Sequence, residues 1–351
     1  MEHMLYSNER GSLIMTTFVN AYAAMEANAP LKPYSYELGE IGRREVDIDI
    51  IAVGMCHSDV SLIKNEWGNA QYPLVPGHEN IGRVSAIGAD VVNVKIGDIV
   101  GVGWTAESCT VCRTCMSGSQ HHCGTQKGTI VGRHGGFADT VRVQDIWAIP
   151  LPDGLDPKMA GPLFCGGVTV FTPFMEFDIK PTHRVGVVGI GGLGHLALKF
   201  ASAWGCEVTA FTSSVDKTEE IKAMGAHRVI NSRDTDALKA ERGRFDMVLS
   251  TVNVTLPWSG YLSALAPKGR LVVVGAALEP IPVPAFSLIG GQKSVSGSQV
   301  GSPAMLATML DFCARHNIMP DVEYFPMSKV NEAIEHLESG KARYRVVLTR
   351  D

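Results

Sequence analysis

The chain of 351 residues is about two to three times the usual length of one domain, so two domains are expected and a mini-protein is excluded. Hydrophobic residues make up 45% and charged residues 19%, a mixture that can bury substantial cores and excludes a disordered chain. Lysine and arginine total 31 against 36 aspartate and glutamate residues, a formal charge of -5, so nucleic acid is not expected as a partner.

The N-terminal region shows no targeting signal. Residues 1–19 lack the basic segment, apolar stretch and cleavage site of a secretory signal, so a cytoplasmic location is expected. Residues 1–14 are predicted to be a flexible extension, with an upstream start as the alternative, and no function is assigned to them. No apolar run reaches the roughly 18 residues that span a bilayer, so no membrane partner is expected. In a cytoplasmic protein, cysteines are expected to bind metal or pack in the core rather than form disulfides.

The first half of the chain is predicted to consist mainly of strands, because short β-branched runs alternate with turn residues. Such runs cover 45–53, 81–87 and 99–102.

From residue 184 the pattern changes to strand, turn and helix in alternation. An apolar strand at 185–188 precedes a glycine-rich turn, and apolar residues then recur at helical spacing until Gly205. Further strands are predicted at 207–211, 228–231, 247–250 and 271–274, with a helix at 218–224. This order is typical of a doubly wound parallel sheet. The Gly- and Ser-rich segment 286–298 is predicted to cross back to the first domain.

The turn after the first of these strands has the spacing G-x-G-x-x-G, with glycines at Gly189, Gly191 and Gly194. These glycines allow a tight turn, a close approach of the backbone to a pyrophosphate, and close packing of helix on strand. A glycine-rich turn without a ligand is the alternative. The strand before and the helix after it favour dinucleotide binding.

The end of the second strand indicates which dinucleotide binds. An acidic residue there would bind the ribose 2′-hydroxyl of NAD, and none is present. Ser213, Ser214 and Lys217 instead offer hydroxyl donors and a cation to a phosphate, which favours NADP(H). The alternative is an ordinary polar loop, and Asp216 adds an opposing charge.

Four cysteines lie close together, at Cys109, Cys112, Cys115 and Cys123. Four thiolates in one loop can enclose a tetrahedral ion, so a structural zinc is predicted. A ferredoxin-type iron–sulfur loop has a shorter last spacing followed by proline, which makes a cluster the less favoured alternative, with free thiols as another.

A second metal site would require residues that are distant in sequence. Cys56, His78 and Cys165 could hold a zinc ion and leave the fourth position open, as Lewis-acid catalysis requires. Taken singly, each residue indicates little, because a single buried cysteine is usually a packing residue and a histidine after glycine often belongs to a turn.

Several motifs in the same order resemble the zinc-dependent medium-chain alcohol dehydrogenases. They are Gly77-His78-Glu79, the four-cysteine loop, Cys165-Gly166-Gly167-Val168-Thr169 and 189–194. The chain is most similar to the cinnamyl alcohol dehydrogenase type, and especially to bacterial NADPH-dependent aldehyde reductases. The resemblance covers about residues 21–348.

This resemblance implies an α/β architecture with a GroES-like, mostly-β catalytic domain over 15–162 and 299–351, and a Rossmann NADP-binding domain over 163–298. It implies a catalytic zinc on Cys56, His78 and Cys165, beside the structural zinc. Asp59 would orient His78, Glu79 would approach the metal during ligand exchange, and Ser58 would relay a proton. The implied cofactor contacts are His57, Thr169, Gly189, Gly191, Gly192, Leu193, Gly194, Ser213, Ser214, Lys217, Val274 and Ser298.

The proton relay departs from the family pattern, because Ser61 stands where many relatives have histidine. The relay is therefore expected to run from Ser58 through a ribose hydroxyl to water, with Ser61 assisting weakly. His57 is a less favoured substitute.

The expected reaction is reversible hydride transfer between NADPH and aliphatic or aromatic aldehydes, giving primary alcohols. Candidate pocket walls are Trp67, Trp104, Leu163, Phe164 and Ile289, with core packing as the alternative for Trp104 and Phe164. A reductase of C=C or C=N bonds is the second hypothesis, and a sensor without turnover is the third. The family resemblance also implies a homodimer.

Overall fold

The computed structural model describes residues 3–7 and 13–350. The chain divides into two compact units, one formed by Met1–Cys165 with Gly301–Asp351 and the other by Gly166–Val300. The sequence placed these divisions after 162 and after 298. Part of the predicted extension, 1–2 and 8–12, lies outside the described residues, and His3–Ser7 form a strand.

Strands of both units are numbered along the chain. They are β1 His3–Ser7, β2 Leu13–Ala23, β3 Lys32–Glu37, β4 Glu45–Met55, β5 Glu79–Ile87, β6 Ile99–Val102, β7 Thr105–Glu107, β8 Lys127–Gly128, β9 Thr140–Gln144, β10 Ile149–Pro150, β11 Arg184–Val188, β12 Glu207–Thr212, β13 Arg228–Asn231, β14 Phe245–Ser250, β15 Leu265–Val273, β16 Ser294–Gly297, β17 Val322–Pro326 and β18 Arg345–Thr349.

The α-helices are numbered in the same way. They are α1 His57–Ile63, α2 Arg113–Met116, α3 Gly166–Glu176, α4 Gly194–Trp204, α5 Thr218–Ala223, α6 Thr235–Ala240, α7 Trp258–Ala264, α8 Ala285–Ile289, α9 Pro303–His316 and α10 Val330–Glu338. None of the described helices combines the length and the apolar character that crossing a membrane requires.

The first unit is mostly β. Its main sheet has the order β10-β6-β5-β4-β18-β17, and β9 also pairs with β4. β4 is central because it pairs antiparallel with β5, β9 and β18, and its Val46, Ile48, Val53 and Met55 side chains are buried in the core of the unit. This pairing brings the C-terminal β18 beside the strand that leads to Cys56.

The second unit contains a six-stranded parallel sheet with the order β13-β12-β11-β14-β15-β16. The order reverses direction at β11, as a doubly wound sheet requires. The predicted helix after the glycine turn is α4, which ends at Trp204 and is capped by Gly205 with a φ of 98°. This positive φ is the left-handed conformation that glycine adopts most readily. The predicted α/β fold class is confirmed.

One segment of the second unit differs from its prediction. Residues 286–298 were predicted as the crossing between domains, but they contain part of α8 and the edge strand β16. β16 has the sequence Ser-Val-Ser-Gly, and it is ordered by parallel pairing with β15 rather than by a strong apolar pattern. The division between the units therefore comes after this strand.

Candidate active site and metal centres

Three chain segments of the first unit converge on one buried centre. Cys56 follows β4 and precedes α1, His78 precedes β5, and Cys165 follows the short 3-10 turn Gly161–Phe164. The ligand atoms of these three residues and of Glu79 all lie within 4.8 Å of one another. The long-range convergence that the sequence could only suggest is therefore present in the fold.

The spacing of the donor atoms suits a tetrahedral metal. A Zn–S distance of about 2.3 Å places two thiolates about 3.8 Å apart in a tetrahedral shell. The Cys56 and Cys165 sulfurs are 3.9 Å apart, and His78 Nε2 lies 3.3 Å from the Cys165 sulfur. The Cys165 thiol donates to Cys56 and lowers the pKa of the Cys56 thiol well below its usual value, with His78 and Arg345 acting in the same direction. The thiolate is the form that binds metal.

Asp59 connects two of the segments. Its Oδ2 accepts a hydrogen bond from the Cys56 amide at 2.9 Å, and its Oδ1 accepts one from the Gly77 amide at 2.9 Å. The same Oδ1 lies 2.9 Å from His78 Nδ1. Donation from Nδ1 to this carboxylate leaves the Nε2 lone pair for a metal. Asp59 thus lies beside His78, the residue that it was predicted to orient.

Glycines make room for this arrangement. Gly77 has a φ of +100°, and a Cβ on it would lie 2.6 Å from the Phe137 ring. A Cβ on Gly54 would lie 2.0 Å from Glu79 Oε2. Any side chain at these two positions would displace the segments that carry His78 and Glu79.

Glu79 pairs with Arg345 of β18, and both side chains are buried. The Arg345 guanidinium also donates to the carbonyl of Met55 at 3.1 Å. Burial raises the pKa of Glu79 to about 7, although the positive charge of Arg345 opposes this shift. Glu79 Oε2 is buried and has no hydrogen-bond partner among the described residues. An unpaired carboxylate oxygen beside two thiols and an imidazole fits a centre built for a cation.

The predicted relay and pocket residues lie around this centre. The Ser58 hydroxyl is 3.7 Å from the Cys56 sulfur. His57 is the exposed first residue of α1. The Trp104 and His78 rings are nearly perpendicular with centroids 5.1 Å apart, and the centroids of Trp67 and Trp104 are 6.0 Å apart.

The other three predicted pocket residues, Leu163, Phe164 and Ile289, differ in exposure. Leu163 and Phe164 are fully buried, and the Phe164 ring lies directly against Gly101. The burial of Phe164 agrees with core packing, the alternative reading of this residue. Ile289 lies in α8 of the second unit, where it is exposed.

The four-cysteine loop forms a second cluster in the first unit. Its sulfur atoms all lie within 4.8 Å of one another, and those of Cys109 and Cys115 are 3.8 Å apart. Backbone amides point at two of the sulfurs, from Cys112 to Cys109 at 3.3 Å and from Cys115 to Cys112 at 3.5 Å. Hydrogen bonds from Thr125 and from backbone amides lower the pKa of Cys123 to about 6. The cluster fits a closed shell of four sulfurs.

In the second unit, the glycine-rich turn lies between β11 and α4. A Cβ on Gly194 would lie 1.8 Å from the Gly189 carbonyl oxygen, and a Cβ on Gly189 would lie 2.2 Å from Val252. Apart from its chain neighbours, no atom of the described residues lies within 4 Å of the corresponding position on Gly191, so its backbone is open to a ligand. Thr251, which the sequence analysis missed, donates its hydroxyl to the carbonyls of Val188 and Gly189. The turn has the form of a pyrophosphate cradle.

The other predicted cofactor residues occupy several parts of the two units. Ser213 and Ser214 follow β12, and Lys217 ends the 3-10 turn Val215–Lys217. The remaining six residues are Thr169 in α3, Gly192 and Leu193 in the glycine turn, Val274 after β15, Ser298 after β16, and His57 at the start of α1. Because parallel strands end at the same edge of a sheet, Ser213, Val274 and Ser298 share one edge of the second unit.

Comparisons with known proteins place this architecture in a family. Residues 42–153 match the model of the alcohol dehydrogenase GroES-like domain, and residues 192–315 match that of the zinc-binding dehydrogenases. Over 331 residues the chain is 53% identical to the aldehyde reductase AdhA of Synechocystis sp., with 94% of this chain and 98% of the relative covered. The chain belongs to the zinc-dependent medium-chain alcohol dehydrogenases of the cinnamyl alcohol dehydrogenase type.

Solved structures of this dehydrogenase family have a fold similar to that of this protein over nearly the whole chain. Cinnamyl alcohol dehydrogenase SbCAD4 of Sorghum bicolor has a TM-score of 0.91 at 39% identity, covering 95% of this chain and 98% of its own. The cinnamyl alcohol dehydrogenase of Helicobacter pylori, complexed with NADP(H), has a TM-score of 0.88 at 29% identity, covering 95% and 99%. The predicted family is confirmed.

Proposed function

We propose that this dehydrogenase is a zinc-dependent, NADP(H)-linked aldehyde reductase and alcohol dehydrogenase, which interconverts aldehydes and primary alcohols. The observation that carries the proposal is the convergence of Cys56, His78 and Cys165, with Asp59 against the outer nitrogen of His78. A relative with 53% identity named an aldehyde reductase supports the direction of the reaction. The first unit would then be the catalytic domain and the second the cofactor domain.

Each residue of the buried centre has a role that follows from its chemistry. Cys56, His78 and Cys165 would hold the catalytic zinc, which supplies a Lewis acid for the carbonyl oxygen while NADPH supplies the hydride. Asp59 fixes the tautomer and orientation of His78. Ser58, beside Cys56, holds the hydroxyl proton that the alcohol product needs. The unpaired oxygen of Glu79 is available as a transient ligand during exchange.

The four-cysteine loop would hold a second zinc with a structural role, which gives two per chain. Its four sulfur donors leave no open position for a substrate. The cysteines of both clusters are free thiols and form no disulfides among the described residues. A cytoplasmic location is part of the same proposal, because the cytoplasm keeps thiols reduced.

NADP(H) is the proposed cofactor. The glycine turn would hold the pyrophosphate, with Ser213, Ser214 and Lys217 around the 2′-phosphate. Thr169, Val274 and Ser298 would lie along the nicotinamide, and His57 would face the pyrophosphate. The NADP(H) complex of the H. pylori relative supports this choice.

The substrates would be aliphatic or aromatic aldehydes. Trp67 and Trp104 offer aromatic surface beside His78, and an apolar pocket discriminates poorly between chains that differ by one methylene. A broad specificity is therefore expected.

A homodimer is also proposed. In the second unit, β16 is an edge strand, and Leu278, Phe286 and Ile289 are exposed by 74%, 86% and 67%. A second copy could cover these apolar side chains and continue the sheet. Light scattering should give the mass of two chains, and Phe286→Glu should shift it towards one.

The activity is tested by following NADPH absorbance with benzaldehyde, with cinnamaldehyde and with a cyclic imine, and by identifying the products. We expect benzyl and cinnamyl alcohols, and the Cys165→Ser variant serves as the control without a complete metal shell. A saturated aldehyde or an amine as the main product would support the C=C or C=N reductase hypothesis. No consumption with any substrate would support the sensor hypothesis.

The cofactor is tested by Ser213→Asp. A carboxylate at this position should repel the 2′-phosphate and accept a hydrogen bond from the ribose 2′-hydroxyl of NADH instead. We expect the ratio of kcat/KM for NADPH over NADH to fall about 100-fold, from a change of roughly 2–3 kcal/mol in charged contacts. An unchanged ratio would show that the phosphate lies elsewhere.

A further inference from the structure

The carboxyl edge of β12 and β13 in the second unit carries an arginine to which no role has been assigned. The two strands are parallel, and their register pairs Thr212 with Asn231. The pairing continues one residue beyond β13, because the Ser232 amide donates to the Thr212 carbonyl at 2.9 Å. Neighbouring strands are about 4.8 Å apart, so Ser213 and Arg233 leave adjacent strands at the same edge.

The loop that carries the predicted phosphate ligands packs against this edge. The Ser214 amide donates to the Thr212 hydroxyl at 3.0 Å, which fixes the turn after β12. The following 3-10 turn, Val215–Lys217, contacts β13. The end of β13 is therefore next to Lys217 as well as to the serines.

The local charge does not favour a phosphate without a further cation. Residues 213–222 contain three carboxylates and two lysines, so the loop and the start of α5 carry a net negative charge. A phosphate monoester carries about −1.5 to −2 at neutral pH. Lys217 alone, next to Asp216, does not balance that charge.

Arg233 can supply the missing charge. It is exposed, and within residues 3–7 and 13–350 no hydrogen bond or ion pair engages its guanidinium. The two nearest carboxylates along the chain are occupied: Asp234 accepts from the amides of Asp236 and Ala237 at the start of α6, and Asp236 pairs with Lys239.

The Arg233 backbone is held in place. Its amide donates to Asn231 Oδ1 at 3.0 Å, and the Asp234 amide donates to the Asn231 carbonyl at 3.1 Å. The turn after β13 thus fixes the point from which the long side chain extends, while its guanidinium has no partner in the part of the chain that the structure describes. A planar guanidinium can bind two phosphate oxygens at once.

We infer that Arg233 binds the 2′-phosphate of NADP(H) and determines the cofactor preference together with Ser213, Ser214 and Lys217. The inference rests on the proposed function, because it assumes that a 2′-phosphorylated dinucleotide occupies this edge. It extends the phosphate site from the loop after β12 to the neighbouring strand.

The test measures binding rather than turnover. Isothermal titration with NADP⁺, NAD⁺ and 2′,5′-ADP is carried out on the full chain, on Arg233→Gln and on Arg233→Lys. The matched control is Arg242→Gln, which removes another exposed arginine of the same unit that precedes β14 at the opposite edge of the sheet. Circular dichroism confirms that each variant is folded.

Arg233→Gln should raise the Kd for NADP⁺ and for 2′,5′-ADP about tenfold or more, as expected for loss of a charge-assisted hydrogen bond. Its Kd for NAD⁺ should change less than twofold, Arg233→Lys should restore part of the loss, and Arg242→Gln should behave as the unaltered chain. A change below twofold for NADP⁺, or an equal change for NAD⁺, would overturn the inference. Equal affinity of the unaltered chain for NADP⁺ and NAD⁺ would instead contradict the proposed cofactor.

Discussion

The two candidate metal sites of the first unit both contain cysteines, but the chain supplies their ligands in different ways. Cys109, Cys112, Cys115 and Cys123 come from one short loop, and two of them are only partly buried. Cys56, His78 and Cys165 come from three separate segments, and they are enclosed by Asp59, Glu79 and Arg345.

This difference in ligands distinguishes a site that stabilises a loop from a site that can support catalysis. Four thiolates satisfy a zinc ion completely and hold the loop together. Three donors leave one position open, and the surrounding carboxylates fix the imidazole and supply a spare oxygen. We call Cys56, His78 and Cys165 the mixed centre, and the sulfurs of the four-cysteine loop the four-sulfur cluster. Substitutions in the mixed centre are expected to abolish turnover, and substitutions in the four-sulfur cluster are expected to reduce the stability of the protein.

The largest effect is expected from Cys165→Ser. Losing one of three protein ligands removes the zinc that would polarise the carbonyl, a contribution of several kcal/mol, so kcat/KM should fall on the order of 10³-fold or more. Elemental analysis should find one zinc per chain instead of two. Retained turnover together with loss of that zinc would contradict the assignment of catalysis to this centre.

Asp59→Asn should have the next largest effect. The amide can still fill the space, but it provides no negative charge beside His78 Nδ1 and alters the hydrogen bonds from Cys56 and Gly77. Changes of this kind at a metal centre typically cost roughly 10–100-fold in metal affinity or activity. Titration with a chelator should remove one zinc more readily than from the unaltered enzyme. Equal chelator sensitivity would show that Asp59 does not support the metal.

Cys112→Ser makes the matched change in the four-sulfur cluster. We expect loss of the other zinc, protease sensitivity within the loop between β7 and β8, and a Tm lower by roughly 5–10 °C, since 1 kcal/mol shifts the Tm of a unit of this size by about 2–4 °C. The kcat/KM of the protein that remains folded should fall less than about tenfold. A loss of turnover as large as that of Cys165→Ser would remove the distinction between the clusters.

The same contrast explains what could be read from the sequence. The four-cysteine loop was predicted from spacing alone, because all its donors lie in one local segment. The mixed centre needed a family resemblance, since Cys56 and Cys165 are 109 positions apart and only strand pairing and packing bring them together.

Arg345 shows most clearly which contacts could not be predicted from the sequence. It lies 266 positions from Glu79, and the sequence analysis assigned it no role. Its contact with Glu79 arises because β18 pairs with β4, which also pairs with β5. The strands of the second unit were predicted closely because each is a local apolar run, whereas β16 was missed because its order depends on its neighbour.

The smallest effect is expected from Ser61→Ala, one helical turn after Ser58. The Ser61 hydroxyl is buried and donates to the exposed carboxylate of Glu66 at 2.6 Å. If the proton passes from Ser58 through a cofactor hydroxyl to water, the hydrogen bond between Ser61 and Glu66 is not on its path. Ser61→Ala should then change kcat/KM less than about threefold. This is well below the roughly 10²–10⁴-fold contributed by a direct general acid or base. The measurement is kcat/KM against pH in both directions, with Glu66→Gln as the matched variant. If kcat/KM instead fell tenfold or more in both variants, with the same displacement of the pH profile, the proton would leave through Ser61 and Glu66. The proton path from the mixed centre to solvent would then run along α1.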